Sequence, residues 1–163
     1  MNPIIILVDP QMGENIGASA RAMLNCSFDT LRLVRPRDGW PNSSAEATAS
    51  GALSELEVKV YERTEDAIAD CNYIIATTAR TRDMVKPIHS AKSAAIELYE
   101  KHTAGNKTAI LFGAERTGLT NHDLSLAHAY INIPLNPEFT SLNLGQAVLL
   151  VCYEYFQMKT LPM

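Results

Sequence analysis

The feature that most constrains this chain is an alternation. Short apolar runs of strand-forming residues recur along it, each separated from the next by a stretch with helical spacing or turn residues. Ile4–Val8, 31–34, 58–61, Tyr73–Thr77, Thr108–Phe112 and 130–133 read as strands, being too short for core helices and rich in branched or aromatic side chains. Between them, 16–26 reads as a helix with Ala18, Ala20 and Ala22 on one side, and residues 13–17 as a turn before it. Ser43 or Ser44 is placed to cap a short Ala-rich helix ending near Gly51, and Thr64 to cap a helix over 65–70. Residues 90–101 carry Ala91, Ala94, Ala95 and Leu98 at helical spacing, with Gly105 past the end. A short helix is expected from about Asn121, and a long apolar one, opened by Ser141 or Asn143, runs towards Gln157. Residues 78–87 and 134–140 read as loops. Strands alternating with helices predict an α/β fold with a mainly parallel sheet, because parallel neighbours need crossover connections that cover both sheet faces.

The chain has 163 residues and 47% hydrophobic content, enough for one domain with its own core, expected over 1–158 with a short tail at 159–163. Cys26, Cys71 and Cys152 are odd in number and far apart, which excludes a disulfide framework and a paired zinc site. Free thiols in a reducing cytoplasm are the expectation. His89, His102, His122 and His128 lack ligand-pair spacing, so no metal is expected. The run Ile4–Val8 is too short for a secretory or membrane segment. A net charge of −4 excludes a binder that presents a broad basic face to nucleic acid. Two local clusters, Arg32 with Arg35 and Arg37, and Arg80 with Arg82 and Lys86, read either as solvated charges or as phosphate-holding patches on an acidic surface.

In open α/β sheets, ligands gather beyond the carboxyl ends of the strands. The loops after Val8, Thr77, Phe112 and Ile133 are therefore the informative ones. The third reads GAERTGLT (113–120), with two glycines five apart after a strand, as in a P-loop. Leu119 stands where a P-loop needs its lysine, which removes the charge that would reach a triphosphate. The dinucleotide fingerprint G-x-G-x-x-G is absent both here and at 13–17. A plain tight turn explains the glycines but not Glu115 and Arg116 between them. The stretch NIGASAR (15–21) places Asn15 as a candidate N-cap and Arg21 on the same helix face as Gly17, with small residues that permit close approach. The stretch IPLNPEFTSLNLG (133–145) is stiffened by Pro134 and Pro137 and puts Ser141 and Asn143 at a helix start.

Taken together, these three stretches resemble the motifs of the SPOUT superfamily, in its SpoU (TrmH-like) branch. The patterns are N-x-G-x-x-x-R, F-G-x-E-x-x-G-L, and I-P-x followed by S-L-N-x, and they occur in order at 15–21, 112–119 and 133–143. Within the branch, NIGASARAM (15–23), ASGA (49–52), TTAR (77–80) and SLNLG (141–145) are most similar to the TrmJ group, which methylates the ribose 2′-OH at tRNA position 32. The resemblance implies an α/β fold whose C-terminal segment forms a trefoil knot, and a homodimer in which the partner's first motif completes each site. Helix 16–26 and the apolar face of 148–156 are the interface candidates, and packing inside the monomer is their other reading. It implies S-adenosyl-L-methionine as methyl donor, held by Thr77, Thr78, Ala79, Gly113, Ile133, Thr140, Ser141 and Leu142. The reaction residues it implies are Arg21, Asn15, Glu115, Ser141 and Asn143. Arg21 is expected to clamp an RNA phosphate rather than act as base, since a guanidinium stays protonated. Glu115 is expected to pair with Arg21 or Arg116. The tRNA wobble nucleotide, ribosomal RNA, and a catalytically silent RNA-binding module are the alternatives left open. Many members of the TrmJ group carry a C-terminal extension; this sequence, ending at Met163, is expected to be their catalytic portion or a short relative.

Overall fold

The computed structural model describes residues 2–80 and 84–160, so Arg82 of the second basic cluster and residues 161–163 of the expected tail lie outside the described residues. The chain runs β1 (Ile4–Val8), α1 (Gly13–Asn25), β2 (Thr30–Val34), α2 (Ser43–Ala49), a 3₁₀ turn (Ala52–Glu55), β3 (Glu57–Tyr61), α3 (Thr64–Ala67) and β4 (Tyr73–Thr77). It continues with β5 (Ile88–His89), α4 (Ala91–Thr103), β6 (Thr108–Phe112), α5 (Asn121–Ser125), β7 (Ala129–Ile131) and α6 (Leu144–Thr160). The strands form one seven-stranded sheet in the order β3-β2-β1-β6-β4-β7-β5, and every neighbouring pair is parallel.

Alternate residues of the strands feed two apolar layers. Ile5, Leu7, Leu31, Leu33, Ile75, Ile110, Phe112 and Ile131 face the side covered by α1, α2, α4 and α6. Ile4, Ile6, Val8, Ile74, Ala76, Ala109 and Leu111 face the side covered by α3 and α5. Burial on both faces is why the central strands are continuous apolar runs rather than alternating ones.

Several local expectations fail for reasons that lie elsewhere in the chain. Residues 13–17 are not a turn but the first turn of α1, so Asn15 is helical and not its N-cap; Met12 occupies that position and offers no side-chain cap. Asn42, not Ser43 or Ser44, caps α2 by accepting the Ala45 amide at 3.0 Å. Thr64 opens α3 but is buried, and its hydroxyl donates to Asp123 Oδ1 at 2.8 Å instead of capping. Ser90, the first residue of the expected helix 90–101, is the N-cap of α4 and accepts the Ser93 amide at 3.1 Å. Helix α6 runs through Thr160, two residues into the expected tail, with its last buried residue at Tyr155.

The small residues of α1 are explained by its neighbours. A methyl group on Gly17 would collide with the Ala45 carbonyl and with Thr48 Oγ1 of α2, and one on Gly145 would strike Ala18. The thin face of α1 is thus filled by α2 and α6 of the same chain.

The first basic cluster serves the fold. Arg32 is buried in β2, bonds both carboxylate oxygens of Asp70 at 2.7 and 3.0 Å, and also donates to the Ala67 carbonyl. Hydrogen bonds from Arg32, reinforced by Lys107, hold the Asp70 carboxyl well below the usual carboxylate range against the effect of burial. Arg35 pairs with Asp9 at 2.9 and 3.1 Å and donates to the Glu62 carbonyl, tying together the carboxyl ends of β1, β2 and β3. Cys26, Cys71 and Cys152 are free thiols, and burial raises all three, Cys71 to about 11. Among the described residues, no helix is long and apolar enough to cross a membrane, and no group of His, Cys, Asp or Glu is arranged to hold a metal ion.

Candidate functional site

The carboxyl ends of β4, β6 and β7 release three loops that wall one cavity of about 950 Å³. The sheet order makes this possible, because these three strands are adjacent although α4, α5 and long loops separate them in sequence. The β4 loop contributes Thr77, Thr78, Ala79 and Arg80. The β6 loop contributes residues 113–121, and the β7 loop contributes Ile133, Pro134, Thr140, Ser141 and Leu142. All eight residues expected to hold a cofactor therefore border one space. Ile131, Leu119 and Leu144 add apolar surface, while Thr77, Thr78, Thr140 and Ser141 add hydroxyls.

The walls are pinned by hydrogen bonds. Thr77 Oγ1 donates to the Leu111 carbonyl at 3.0 Å, and the Thr78 amide donates to the Ile131 carbonyl at 2.9 Å. Asn132 Nδ2 returns to the Thr78 carbonyl at 3.1 Å, so the start of the β7 loop fixes the start of the β4 loop. On the β6 side, the Gly118 amide bonds the Ala114 carbonyl at 2.9 Å, and Gly118 adopts φ 71°, a turn that suits glycine. Gly113 packs so close to Gly118 and Leu119 that no side chain fits there. The loop is a closed ring and not an open phosphate cradle, in keeping with the missing P-loop lysine.

Glu115 forms the bridge between this cavity and α1. Its Oε1 accepts the Gln11 amide at 2.8 Å, and its Oε2 accepts the Met12 amide at 3.1 Å and Asn15 Nδ2 at 2.8 Å. It does not pair with Arg21 or Arg116 as expected; backbone donors at the start of α1 take up the carboxylate instead. Burial pushes this carboxyl up, but the bonds from Asn15, Gln11 and Met12 outweigh it and leave it below its ordinary value. A carboxylate ionised at neutral pH, with both oxygens engaged, is an anchor rather than a proton donor.

The chain of contacts continues to the third motif. Asn15 Oδ1 accepts Asn143 Nδ2 at 3.0 Å, and Asn143 Oδ1 accepts the Gly145 amide at 2.8 Å, capping α6. Glu115, Asn15 and Asn143 thus form one polar relay, of which only Glu115 lines the cavity. Ser141 lines the cavity outside the relay. Arg21 lies on the exposed side of α1, away from the cavity lining, and makes no ion pair among the described residues. Arg116 and Arg80 line the rim. Arg80 comes from the second basic cluster, and Arg116 is one of the two residues that a plain tight turn leaves unexplained.

Fold and site together define a parallel α/β protein with a small-molecule cavity at the carboxyl edge of its central strands. The chain belongs to the SpoU rRNA Methylase family, whose model matches residues 2–153. It is 37% identical over 151 residues to the tRNA (cytidine/uridine/adenosine-2′-O-)-methyltransferase TrmJ of Pseudomonas aeruginosa, covering 92% of this chain and 58% of the relative. The crystal structure of TrmJ from Z. mobilis ZM4 is 50% identical and superposes with a TM-score of 0.90, covering 96% of this chain and 69% of that one. A probable methylase family protein from Haemophilus influenzae is 35% identical with a TM-score of 0.85, covering 98% of this chain and 69% of its own. The chain spans 58% and 62% of the lengths of two curated TrmJ relatives that it matches.

Proposed function

We propose that residues 1–158 form the catalytic unit of an S-adenosyl-L-methionine-dependent ribose 2′-O-methyltransferase, acting on tRNA in the cytoplasm at position 32 of the anticodon loop. The observation that carries this reading is the relay Glu115–Asn15–Asn143, which ties the cavity to the helix bearing Arg21. The names of the TrmJ relatives support the substrate.

The cavity suits the methyl donor chemically. Apolar surface from Leu119, Ile131, Ile133 and Leu142 fits a purine, and hydroxyls and backbone groups at 77–79 and 140–142 fit its polar edges. When bound, the cofactor supplies an electrophilic methyl group, and the protein's part is to hold the acceptor ribose in line with it. Arg21 holds an RNA phosphate and steadies the negative charge that develops on the ribose oxygen. Ser141, on the rim, orients the 2′-OH, and Asn15 and Asn143 keep the motif-one helix in register with it.

Arg21 does not line its own chain's cavity, and α6 leaves Leu149, Leu150 and Tyr153 exposed. Both facts support a homodimer in which the motif-one residues of one protomer complete the site of its partner. The sheet order supports a knotted chain. β7 lies between β4 and β5, so the chain leaving β7 has to pass the connection that joins those two strands before it reaches α6 beside α1. Pulled from both ends, a knotted chain would extend to less than its full contour length.

The deciding experiment is methylation of total tRNA with labelled cofactor, followed by mapping of the product. A 2′-O-methyl group at position 32 is expected. A methylated base would overturn the chemistry, and a product confined to the wobble nucleotide or to rRNA would overturn the target.

A further inference from the structure

The connection from β4 to β5 leaves the sheet at the carboxyl end of β7 and rejoins it at the other end. Thr78 N bonds the Ile131 carbonyl, whereas the Pro87 carbonyl accepts the Tyr130 amide at 2.9 Å. Between these anchors the connection is fastened to α5 at both ends of that helix. Arg80 Nη2 donates to Asn121 Oδ1 at 2.6 Å, at the first residue of α5. Lys86 Nζ donates to the carbonyls of Leu124, Ser125 and Ala127 at 3.3, 2.9 and 2.6 Å, around its last turn. The same ammonium lies 5.9 Å from the centre of the Tyr130 ring.

This use of a lysine is specific. An ammonium has three donors, and here three backbone carbonyls of one helix end receive them. Leu124 and Ser125 belong to the last turn of α5, at the negative end of its dipole, and Ala127 follows it; the Leu124 carbonyl also accepts the Ala127 amide at 3.2 Å. No carboxylate pairs with Lys86 among the described residues. The helix it holds belongs to the cavity: Thr120, the N-cap of α5, and Asn121 both line the space, as does Arg80 opposite. Lys86 itself lies outside the lining.

We propose that Lys86 is a positioning residue for the cofactor: it latches the β4 connection to α5 and so fixes the spacing between the walls formed by residues 77–80 and 113–121. The inference rests on the proposed methyl-donor site, but the latch itself is a property of the ligand-free protein. It acts through those walls and touches neither the reacting atoms nor RNA. Its loss widens the cofactor site and leaves the relay through Asn15 and Asn143 intact, because none of the relay's bonds is made to α5 or to Lys86.

The test compares wild type with Lys86→Met, which keeps the aliphatic stem, and Lys86→Arg, which keeps the charge. Hydrogen exchange on ligand-free protein reads the latch directly: amides of residues 78–80 and 121–127 should exchange faster in Lys86→Met, while those of α1 and α6 stay unchanged. Calorimetry with S-adenosyl-L-methionine should show the dissociation constant rising about tenfold in Lys86→Met, with partial recovery in Lys86→Arg, as expected for losing several charge-assisted hydrogen bonds. RNA affinity, and the single-turnover rate at saturating cofactor, should stay near wild type. Unchanged exchange and unchanged affinity would overturn the proposal. So would losses of equal size in cofactor binding, RNA binding and rate together with a lowered melting point, which mark a general loss of structure. If wild-type protein bound no cofactor, the proposed function would fall, and exchange at 78–80 and 121–127 would still decide whether Lys86 is the latch.

Discussion

Glu115 accepts the side-chain amide of Asn15 at 2.8 Å, joining the loop after β6 to a helix a hundred residues earlier in the chain. With the Gln11 and Met12 amides on the same carboxylate, Glu115 holds the backbone just ahead of α1 and, through Asn15, its first turn. Glu115→Ala leaves part-buried donors without partners and should destabilise the protein by about 1–3 kcal/mol. Methyl transfer should fall with it, because Asn15 loses its anchor. The folded pKa of Glu115 is lowered, so its stabilisation is complete above the unfolded value and is lost as pH falls through the folded one. Urea unfolding at neutral pH and below about pH 4 checks both parts: the gap between wild type and Glu115→Ala should narrow in acid.

Arg21→Lys should leave stability within about 0.5 kcal/mol, since the side chain is an exposed one. It should lower RNA affinity and turnover by about tenfold, because a lysine cannot reproduce the bidentate fork on phosphate. Cofactor affinity should not change. Filter binding with tRNA and calorimetry with the cofactor separate these effects, and full turnover in the variant would refute the clamp.

The Arg32–Asp70 pair gives a second, distinct pH dependence. Asp70→Asn leaves the buried Arg32 facing a neutral amide, at a cost of about 1–3 kcal/mol at pH 7, moderated by the half-exposed position of Asp70. The folded carboxyl titrates well below the usual range, so the contribution holds above the unfolded value and declines as pH drops beneath about 4. The urea midpoints of wild type and variant should therefore converge in acid. A constant difference down to pH 2.5 would show that the pair contributes no charge-dependent stability.

Tyr153→Glu tests the dimer. Tyr153 is 52% exposed on α6 beside Leu149 and Leu150, so a charge there should leave the fold intact while opposing burial against a second copy. Sedimentation should show a dimer for wild type and a monomer for the variant, with methyl transfer lost and circular dichroism unchanged. An active monomer would sink the shared-site reading.

Gly17→Ala tests the seat of α1 on α2. The added methyl meets the Ala45 backbone, which has no flexible side chain to move aside, so a loss of about 1–3 kcal/mol is expected. Thermal melting checks it, and a neutral effect would mean that α2 shifts freely.

Much of the sheet was legible because each central strand announces itself as a short apolar run: β1, β4 and β6 have the bounds the sequence implies. The loops that gather at the cavity were legible too, since carboxyl-end loops rich in glycine, proline and hydroxyl residues stand out. What local reading missed depends on partners far along the chain. The start of α1 at Gly13 was hidden because no side chain caps it, and Glu115, which holds the residues ahead of it, comes from another loop. Thr64 looked like a cap but spends its hydroxyl on Asp123. Arg32 and Arg35 looked like a surface patch, and only the fold shows them facing Asp70 and Asp9. β5 is too short to carry a pattern at all.

That short strand has a consequence for how the chain comes off the ribosome. β5 sits at the sheet edge and pairs with β7, which is made later. During synthesis Ile88 and His89 therefore wait with no strand to bond, and Lys86 waits for the helix end it is to hold. One side of the cavity is assembled only once the chain through β7 has emerged, so a nascent polypeptide halted at α4 would carry β1, β2 and β3 as paired strands and none of the completed site.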